Sequence, residues 1–332
     1  MKTIAVICPG DPTTTPSTRY RIKQYQPLWE EHGYRTVFFP KKDLSAQSLL
    51  QMAEADIILN QKCLLSHGWL KRIQALGLPI LFDLDDLIWH RAIRDYSWLK
   101  REMLLRRLRS WVEAAKAVTV ANSVLARKIL EKTRIEPIII PMSLDLEIWK
   151  PHCPSSALPI LDLNIGWTGS PEYHHLLAGI APAIDEILMS NPGTRFTIHS
   201  GLDPKFLINY EFIKWQSGNE VDYVKELQIG LLPMENASKF ATCKSPIKAL
   251  QYMALGVVPV GNFVGASLDF LSDKNSLLVE PSIRGWSDGL SRLILDRQLA
   301  LDLSERAILD VSLNHNLPVV GQQLLTVINS IS

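Results

Sequence analysis

The chain has 332 residues, 47% hydrophobic and 21% charged, with a formal net charge of +1. That is an ordinary globular balance at a length that suggests two domains. A near-neutral chain carries no global field for nucleic acid or an acidic partner, so charge-driven binding has to be local.

In chain order, the apolar run 3–8 (TIAVIC) predicts a buried strand, followed by the polar loop PGDPTTTPSTRYR. Residues 22–32 predict a helix ended by Gly33. A strand at 36–39, a helix at 45–55, a strand at 56–59 and a helix at 64–76 follow. The strand 79–82 runs directly into Asp83-Leu84-Asp85-Asp86. A long helix is expected over 96–115, then strands at 117–120 and 137–140. The proline-rich and polar stretch 141–158 reads as an interdomain linker. A second series begins with a strand at 163–167 and a helix at 174–190. A strand at 195–199, a short helix at 223–227 and a strand at 229–232 come next. They precede a helix at 246–255, strands at 257–260 and 277–279, and helices to the end. Strand alternating with helix implies parallel sheets covered on both faces, with uniformly apolar strands. The division expected is 1–150, 151–312 and a C-terminal helix, 313–332, free to pack back on the first domain.

The four cysteines, Cys8, Cys63, Cys153 and Cys243, are widely spaced and lack clustered histidines. They read as reduced thiols rather than a zinc site. The run Ile4 to Cys8 is too short for a signal-peptide core or a membrane span, and no longer run follows. The expected location is the cytoplasm.

Ligands of open parallel sheets bind beyond the carboxyl ends of the strands. That rule selects the loops after TIAVIC, ILF, NIGW, IGLL and VVPV. In the turn Gly166-Trp167-Thr168-Gly169-Ser170, small residues would let backbone N–H groups approach a phosphate. Any Rossmann-like unit also needs a tight turn there. Lys244, Ser245 and Lys248 are expected to open a helix, with Pro246 in its first turn. Two ammonium groups four residues apart oppose the helix dipole, and a diphosphate between them would relieve that cost. A solvated basic patch is the alternative. Gln251, one turn on, can donate and accept, as vicinal ribose hydroxyls require; otherwise it is a surface glutamine.

The block Lys244 to Gly261 (KSPIKALQYMALGVVPVG) resembles the donor-site signature of retaining GT-B glycosyltransferases of the family 4 type, K-S/F-P-x-K-x-x-E-Y-M-A-x-G-x-P-V-V. IGWTGSPEYHHLL is similar to the turn opening their C-terminal domain, and LQIGLLPMENASKF to their D-I-G-L-x-P-L stretch. FDLDDLIW looks like the D-x-D-D segment of a bacterial surface-polysaccharide subset. VTVANSVLARKI with IIIPMSLDLEIW resembles the end of their N-terminal domain. The resemblance covers most of the chain.

It implies an α/β GT-B fold, two Rossmann-like parallel-sheet domains facing across a cleft. The first would hold the acceptor and the second the nucleotide sugar. It implies sugar transfer from a nucleoside-diphosphate sugar, with retention, to a saccharide, lipid-linked or other glycoconjugate acceptor. No metal and no cofactor beyond that co-substrate would be needed. Donor binding would fall to Gly166, Thr168, Gly169, Ser170, Lys244, Ser245, Lys248 and Gln251. Acceptor binding would fall to Ser17, Arg19, Tyr20, Arg21 and Asp86, and the chemistry to Lys244, Lys248, Asp85 and His90.

Arg19 and Arg21 could grip a phosphorylated or lipid-diphosphate acceptor, or be ordinary surface arginines. Asp83, Asp85 and Asp86 could bind Mg²⁺, but the reading adopted is that they cap a helix or position an acceptor hydroxyl. Between Arg91 and Lys116 eight basic residues face three acids, interleaved with Trp98, Leu104, Leu105, Leu108 and Trp111. That pattern suits a core-packed helix with a basic face, or one resting on anionic lipid at the inner face of the membrane.

Three departures stand out. Gln251 and Cys243 occupy positions where the family carries glutamates, and Gln228 one where it carries aspartate. A non-catalytic nucleotide-sugar-binding relative and a sugar-nucleotide epimerase therefore remain the alternatives. The pattern specifies no oligomeric state.

Overall fold

The computed structural model describes residues 1–91, 95–151, 163–216, 218–235, 239–245 and 247–332. Residues 152–158 of the expected linker, 236–238 of the PMENASKF loop, Pro246, Cys153 and residues 92–94 of the basic stretch lie outside the described residues. The chain forms two compact units. One comprises Met1–Ser143, Ser238–Ser245 and Leu317–Ser332, and the other Leu144–Ala237 and Pro246–Asn316.

The first unit holds strands β1 (Lys2–Cys8), β2 (Tyr34–Pro40), β3 (Ile57–Gln61), β4 (Ile80–Leu84), β5 (Ala117–Val120) and β6 (Ile138–Ile139). They pair in parallel in the order β2-β1-β3-β4-β5-β6. Alternation along β1 explains the apolar run. Ala5 and Ile7 enter one core with Phe82, Leu108 and Trp111, while Ile4 and Val6 enter another with Trp29, Leu324 and Ile328. The first core is roofed by α3 (Ala46–Met52), α4 (His67–Gln74), α5 (Trp98–Ala114) and α6 (Ser123–Thr133). The second is covered by α2 (Gln26–Glu31) and by the C-terminal helix α13 (Leu317–Ile331), which packs against it.

The first loop differs from expectation. Residues Pro16–Arg21 form helix α1, with proline in its first turn, where a missing N–H costs nothing. The expected helix 22–32 is split into a 3-10 turn, Lys23–Tyr25, and α2, which begins where Pro27 can occupy a first-turn position. Helix α6 and an edge strand, β9, come in addition to the expected elements.

The second unit holds β7 (Asn164–Thr168), α7 (His174–Ser190), β8 (Arg195–Ser200), β9 (Glu211–Lys214), α8 (Glu220–Val224) and β10 (Ile229–Leu232). After α9 (Lys239–Cys243), which belongs to the first unit, come α10 (Ile247–Ala254), β11 (Val258–Gly261), β12 (Leu277–Leu278), α11 (Ile283–Leu295) and α12 (Arg297–Asn314). The parallel order is β12-β11-β10-β7-β8-β9. Both units are thus Rossmann-like α/β sheets. Strand order reverses between β1 and β3 in the first and between β7 and β10 in the second.

Close packing fixes the small residues of the second sheet. A Cβ on Gly230 would lie 2.4 Å from Cδ2 of Tyr252 and 2.6 Å from its Cγ. That ring is fully buried, and its hydroxyl accepts the N–H of Thr168 at 3.1 Å. Gly230→Ala must displace the ring, and overpacking of this kind costs roughly 1–3 kcal/mol. A denaturant titration should show a lowered midpoint; an unchanged one would mean that Tyr252 yields freely.

Candidate functional site

In the first unit the carboxyl ends of β3, β4 and β5 carry a charged cluster. Asp83, the fourth residue of β4, is fully buried and takes a bidentate pair from Arg21: Nη2 to Oδ1 at 2.7 Å and Nε to Oδ2 at 3.0 Å. Thr119 donates to the same carboxylate at 2.7 Å. The remaining Arg21 nitrogen, Nη1, donates to the carbonyls of Ile140 and Pro141 at 2.6 and 3.1 Å. Arg21 is 1% exposed. The expectation that it grips an acceptor is therefore corrected, because its donors are committed inside the fold. Arg19 stays half-buried, with its guanidinium 5.3 Å from the centre of the Tyr20 ring. Ser17 accepts at its carbonyl from Nε2 of Gln61.

Asp85 and Asp86 share one cation, Lys62. Its Nζ lies 2.9 Å from Oδ1 and 3.0 Å from Oδ2 of Asp85, and 2.7 Å from Oδ2 of Asp86. Burial pushes the Asp85 carboxyl up to about 6, against the pull of Lys62. Burial acts on Asp86 too, but Lys62, helped by Lys244, outweighs it and holds that carboxyl below the usual range. His90 is tied elsewhere, its Nδ1 2.6 Å from Oδ2 of Asp95. Among the described residues no group of three or more His, Cys, Asp or Glu side chains is arranged to hold a metal.

The expected donor segment is divided. Lys244 and Ser245 precede α10 and belong to the first unit, whereas Lys248 and Gln251 lie on α10 in the second. The idea that both lysines share one helical face is thereby corrected. Asn122 anchors the first part. It caps α6 by accepting the N–H of Leu125, and its Nδ2 donates to the Cys243 carbonyl at 2.8 Å and to Ser245 Oγ at 2.9 Å. Cys243 is buried in the core of the first unit, which raises its thiol pKa.

In the second unit the glycines of the turn serve packing. A Cβ on Gly166 would lie 2.4 Å from Leu227, and one on Gly169 2.2 Å from the Trp167 indole. The N–H of Gly169 donates to the His199 carbonyl, and that of Thr168 to Tyr252. These three residues are therefore not the phosphate cradle expected of them. Ser170 is exposed just before a 3-10 turn, Pro171–Tyr173. Gln251 is 1% exposed, so it is no surface glutamine. Gln228 uses its amide oxygen to accept the N–H of Asn164 at the start of β7.

The residue that sequence reasoning passed over here is His199, near the carboxyl end of β8. It is fully buried, 3.3 Å from Thr168 Oγ1 through Nδ1, with its ring centre 4.3 Å from that of Tyr223 and tilted by 36°. Burial, then the charge of Lys248, lowers its pKa to about 4. Lys248 therefore faces a neutral imidazole. An open groove of about 280 Å³ lies toward the other end of this sheet, lined by Asn164, Arg195, Glu211 and Tyr223.

No protein-family model and no curated protein matches the chain. Solved structures do. Sucrose-phosphate synthase from Thermosynechococcus elongatus is 16% identical over 99% of each chain, with a TM-score of 0.73. HepE of Anabaena, solved with UDP-glucose, is 16% identical over 99% of this chain and 100% of that one, at 0.70. A glycosyltransferase from Rickettsia africae is 11% identical over 99% and 98%, at 0.74. At such identities the likeness is one of fold, and the fold is the two-domain, Rossmann-like α/β architecture of GT-B glycosyltransferases.

His199 gives a pH test. Its folded pKa lies below the unfolded value near 6.5, so the folded state stays neutral while the unfolded state binds a proton. The contribution is complete above about pH 6.5 and is lost as pH falls toward 4, amounting to about 3 kcal/mol. His199→Gln should flatten the fall in unfolding free energy between pH 7 and 4. An equal fall in both proteins would contradict the burial argument.

Proposed function

We propose that the chain is a metal-independent retaining glycosyltransferase of the family 4 type. It moves a sugar from a nucleoside-diphosphate sugar to a saccharide, lipid-linked or other glycoconjugate acceptor, in bacterial surface-polysaccharide synthesis. The observation that carries this is the likeness, over 99% of this chain and 100% of the other, to a glycosyltransferase fold solved with UDP-glucose. Transfer breaks the anomeric C–O bond through an oxocarbenium-like transition state, and the main task is to stabilise charge on the departing diphosphate. Lys248 and Ser170 on the second unit, with Lys244 and Ser245 on the segment leading to it, are the groups assigned to that task. Gln251 is assigned to the ribose. Ser17, Arg19, Tyr20, Asp85 and Asp86 are assigned to the acceptor on the first unit. The ammonium groups meet the phosphate charge, and each carboxylate of the acidic loop already faces a cation, so the scheme needs no metal.

One observation favours a second reading. Cys243 stands where the family carries a carboxylate for the donor sugar, and it is sealed in the first core. A protein that binds nucleotide sugar without transferring it would tolerate that.

Thermal shift and calorimetry with nucleoside diphosphates and their sugars separate the two. Stabilisation by at least one is expected, with Lys248→Ala weakening it tenfold or more. Unaltered affinity would remove Lys248 from the diphosphate site. Turnover should persist in excess EDTA and yield the retained anomer by NMR. Binding without turnover on any acceptor supports the second reading.

A peripheral membrane contact belongs to the same proposal. No described helix is long and apolar enough to cross a membrane. Helix α5, however, opens with Trp98 and Leu99, 65% and 72% exposed, beside exposed Lys100 and Arg106. Aromatic and aliphatic side chains flanked by cations suit an anionic lipid surface. Vesicles rich in phosphatidylglycerol should co-sediment the protein, and phosphatidylcholine vesicles should not. Retention of that binding in Trp98→Ala/Leu99→Ala would rule this face out.

A further inference from the structure

Lys62 follows β3, one of the two strands flanking the point where the first sheet reverses its strand order, beyond whose carboxyl ends ligands bind. Its backbone is left-handed, with φ 45°. Residues with a Cβ seldom hold that conformation, and where they do, the surrounding structure enforces it, often at a functional site. Here the enforcement is visible. The Lys62 N–H donates to the Asp83 carbonyl at 2.8 Å, and Asp83 is locked by Arg21 and Thr119. The turn carries the ammonium to two carboxylates adjacent in sequence. Asp85 is the deeper, with 8% of its side chain exposed against 24% for Asp86.

We propose that Lys62 is a positioning residue for the acceptor, holding Asp85 and Asp86 as one unit so that Asp85 receives the proton of the attacking hydroxyl. This rests on the glycosyltransferase reading with the acceptor on the first unit. The acceptor oxygen bonds to the anomeric carbon on the face from which the diphosphate departs, so configuration is retained, as that carbon's bond to the diphosphate oxygen breaks. The diphosphate leaves with the electron pair. The hydroxyl proton passes to the Asp85 carboxylate and then to solvent. Among the described residues, the charged or titratable groups facing the pair are Lys62, Lys244, Arg21, Asp83 and the Cys63 thiol. A carboxyl raised to about 6 is ionised at neutral pH yet more basic than an ordinary aspartate, as general-base work requires.

The test uses the full chain with Lys62→Met and Lys62→Arg. Removing the ammonium should lower kcat/KM for the acceptor by about a hundredfold or more. It should also move the acid limb of the pH profile upward by about one pH unit. Nucleotide affinity should stay within twofold, and arginine should restore the limb. Carbon-13 NMR of labelled aspartate side chains reads the same shift without turnover. An unmoved limb and an unmoved carboxyl titration in folded Lys62→Met would overturn the proposal. Should that variant not fold, Asp86→Asn replaces it. Losing the neighbouring charge should lower the Asp85 titration, and no change counts against the proposal. If the wild-type chain binds no nucleotide sugar, the glycosyltransferase reading falls. The NMR titration then still decides whether Lys62 sets the protonation of the pair.

Discussion

The buried pair between Arg21 and Asp83 organises the first unit. It joins α1 to β4, while the other bonds of the two residues reach β5 through Thr119 and the end of β6 through the Ile140 and Pro141 carbonyls. The Asp83 carbonyl takes the Lys62 N–H, so the same residue also sets the turn after β3. Burying two charges is costly, and the attraction repays it only when geometry is good and the remaining donors are satisfied. Both conditions hold here. Removing one partner would leave a buried charge uncompensated, which in such pairs generally costs about 3–5 kcal/mol. The pair therefore does more to specify where α1 and the acidic loop lie than to add net stability.

A comparable device holds the segment before α10. Asn122 spends its oxygen on the cap of α6 and its amide hydrogens on Cys243 and Ser245. Helix α9 packs against α6, and Cys243 adds its side chain to the core beneath. This explains a departure that looked chemical. A carboxylate at position 243 would have to be buried in an apolar core, whereas a neutral thiol is not penalised there. Gln228 is similar: its amide caps the start of β7, a bond that places a neutral acceptor against a backbone N–H.

The central strands β1, β3, β4, β7, β10 and β11 were legible because they are buried on both faces, so apolar runs marked them. The edge strand β9 escaped because it is short, with Phe212 and Ile213 only half-buried between exposed Glu211 and Lys214. Helix α1 escaped because prolines and threonines read as loop, although Pro16 suits a first turn. Residue roles were harder. Arg21 read as a grip for an acceptor phosphate or as a surface arginine, since charged residues are mostly exposed, and its partner is 62 residues away. Gly166 and Gly169 looked like room for phosphate, but the room is taken by Leu227 and Trp167. Lys62 left no signal, because only a backbone angle distinguishes it from any lysine after a strand.

Charge is handled differently in the two units, and this bears on which ligand each can receive. In the first, Lys62 is compensated by Asp85 and Asp86. A phosphate brought there would meet carboxylates as closely as ammonium groups. A neutral hydroxyl would find both a carboxylate to accept its proton and a fixed cation beside that carboxylate. In the second unit Lys248 acts on His199, and burial together with that charge keeps the imidazole neutral. A charged imidazole would be an additional anion partner, but it would have to remain ionised in a buried position. The neutral form avoids that cost and leaves the positive potential to Lys248, on the unit assigned the diphosphate.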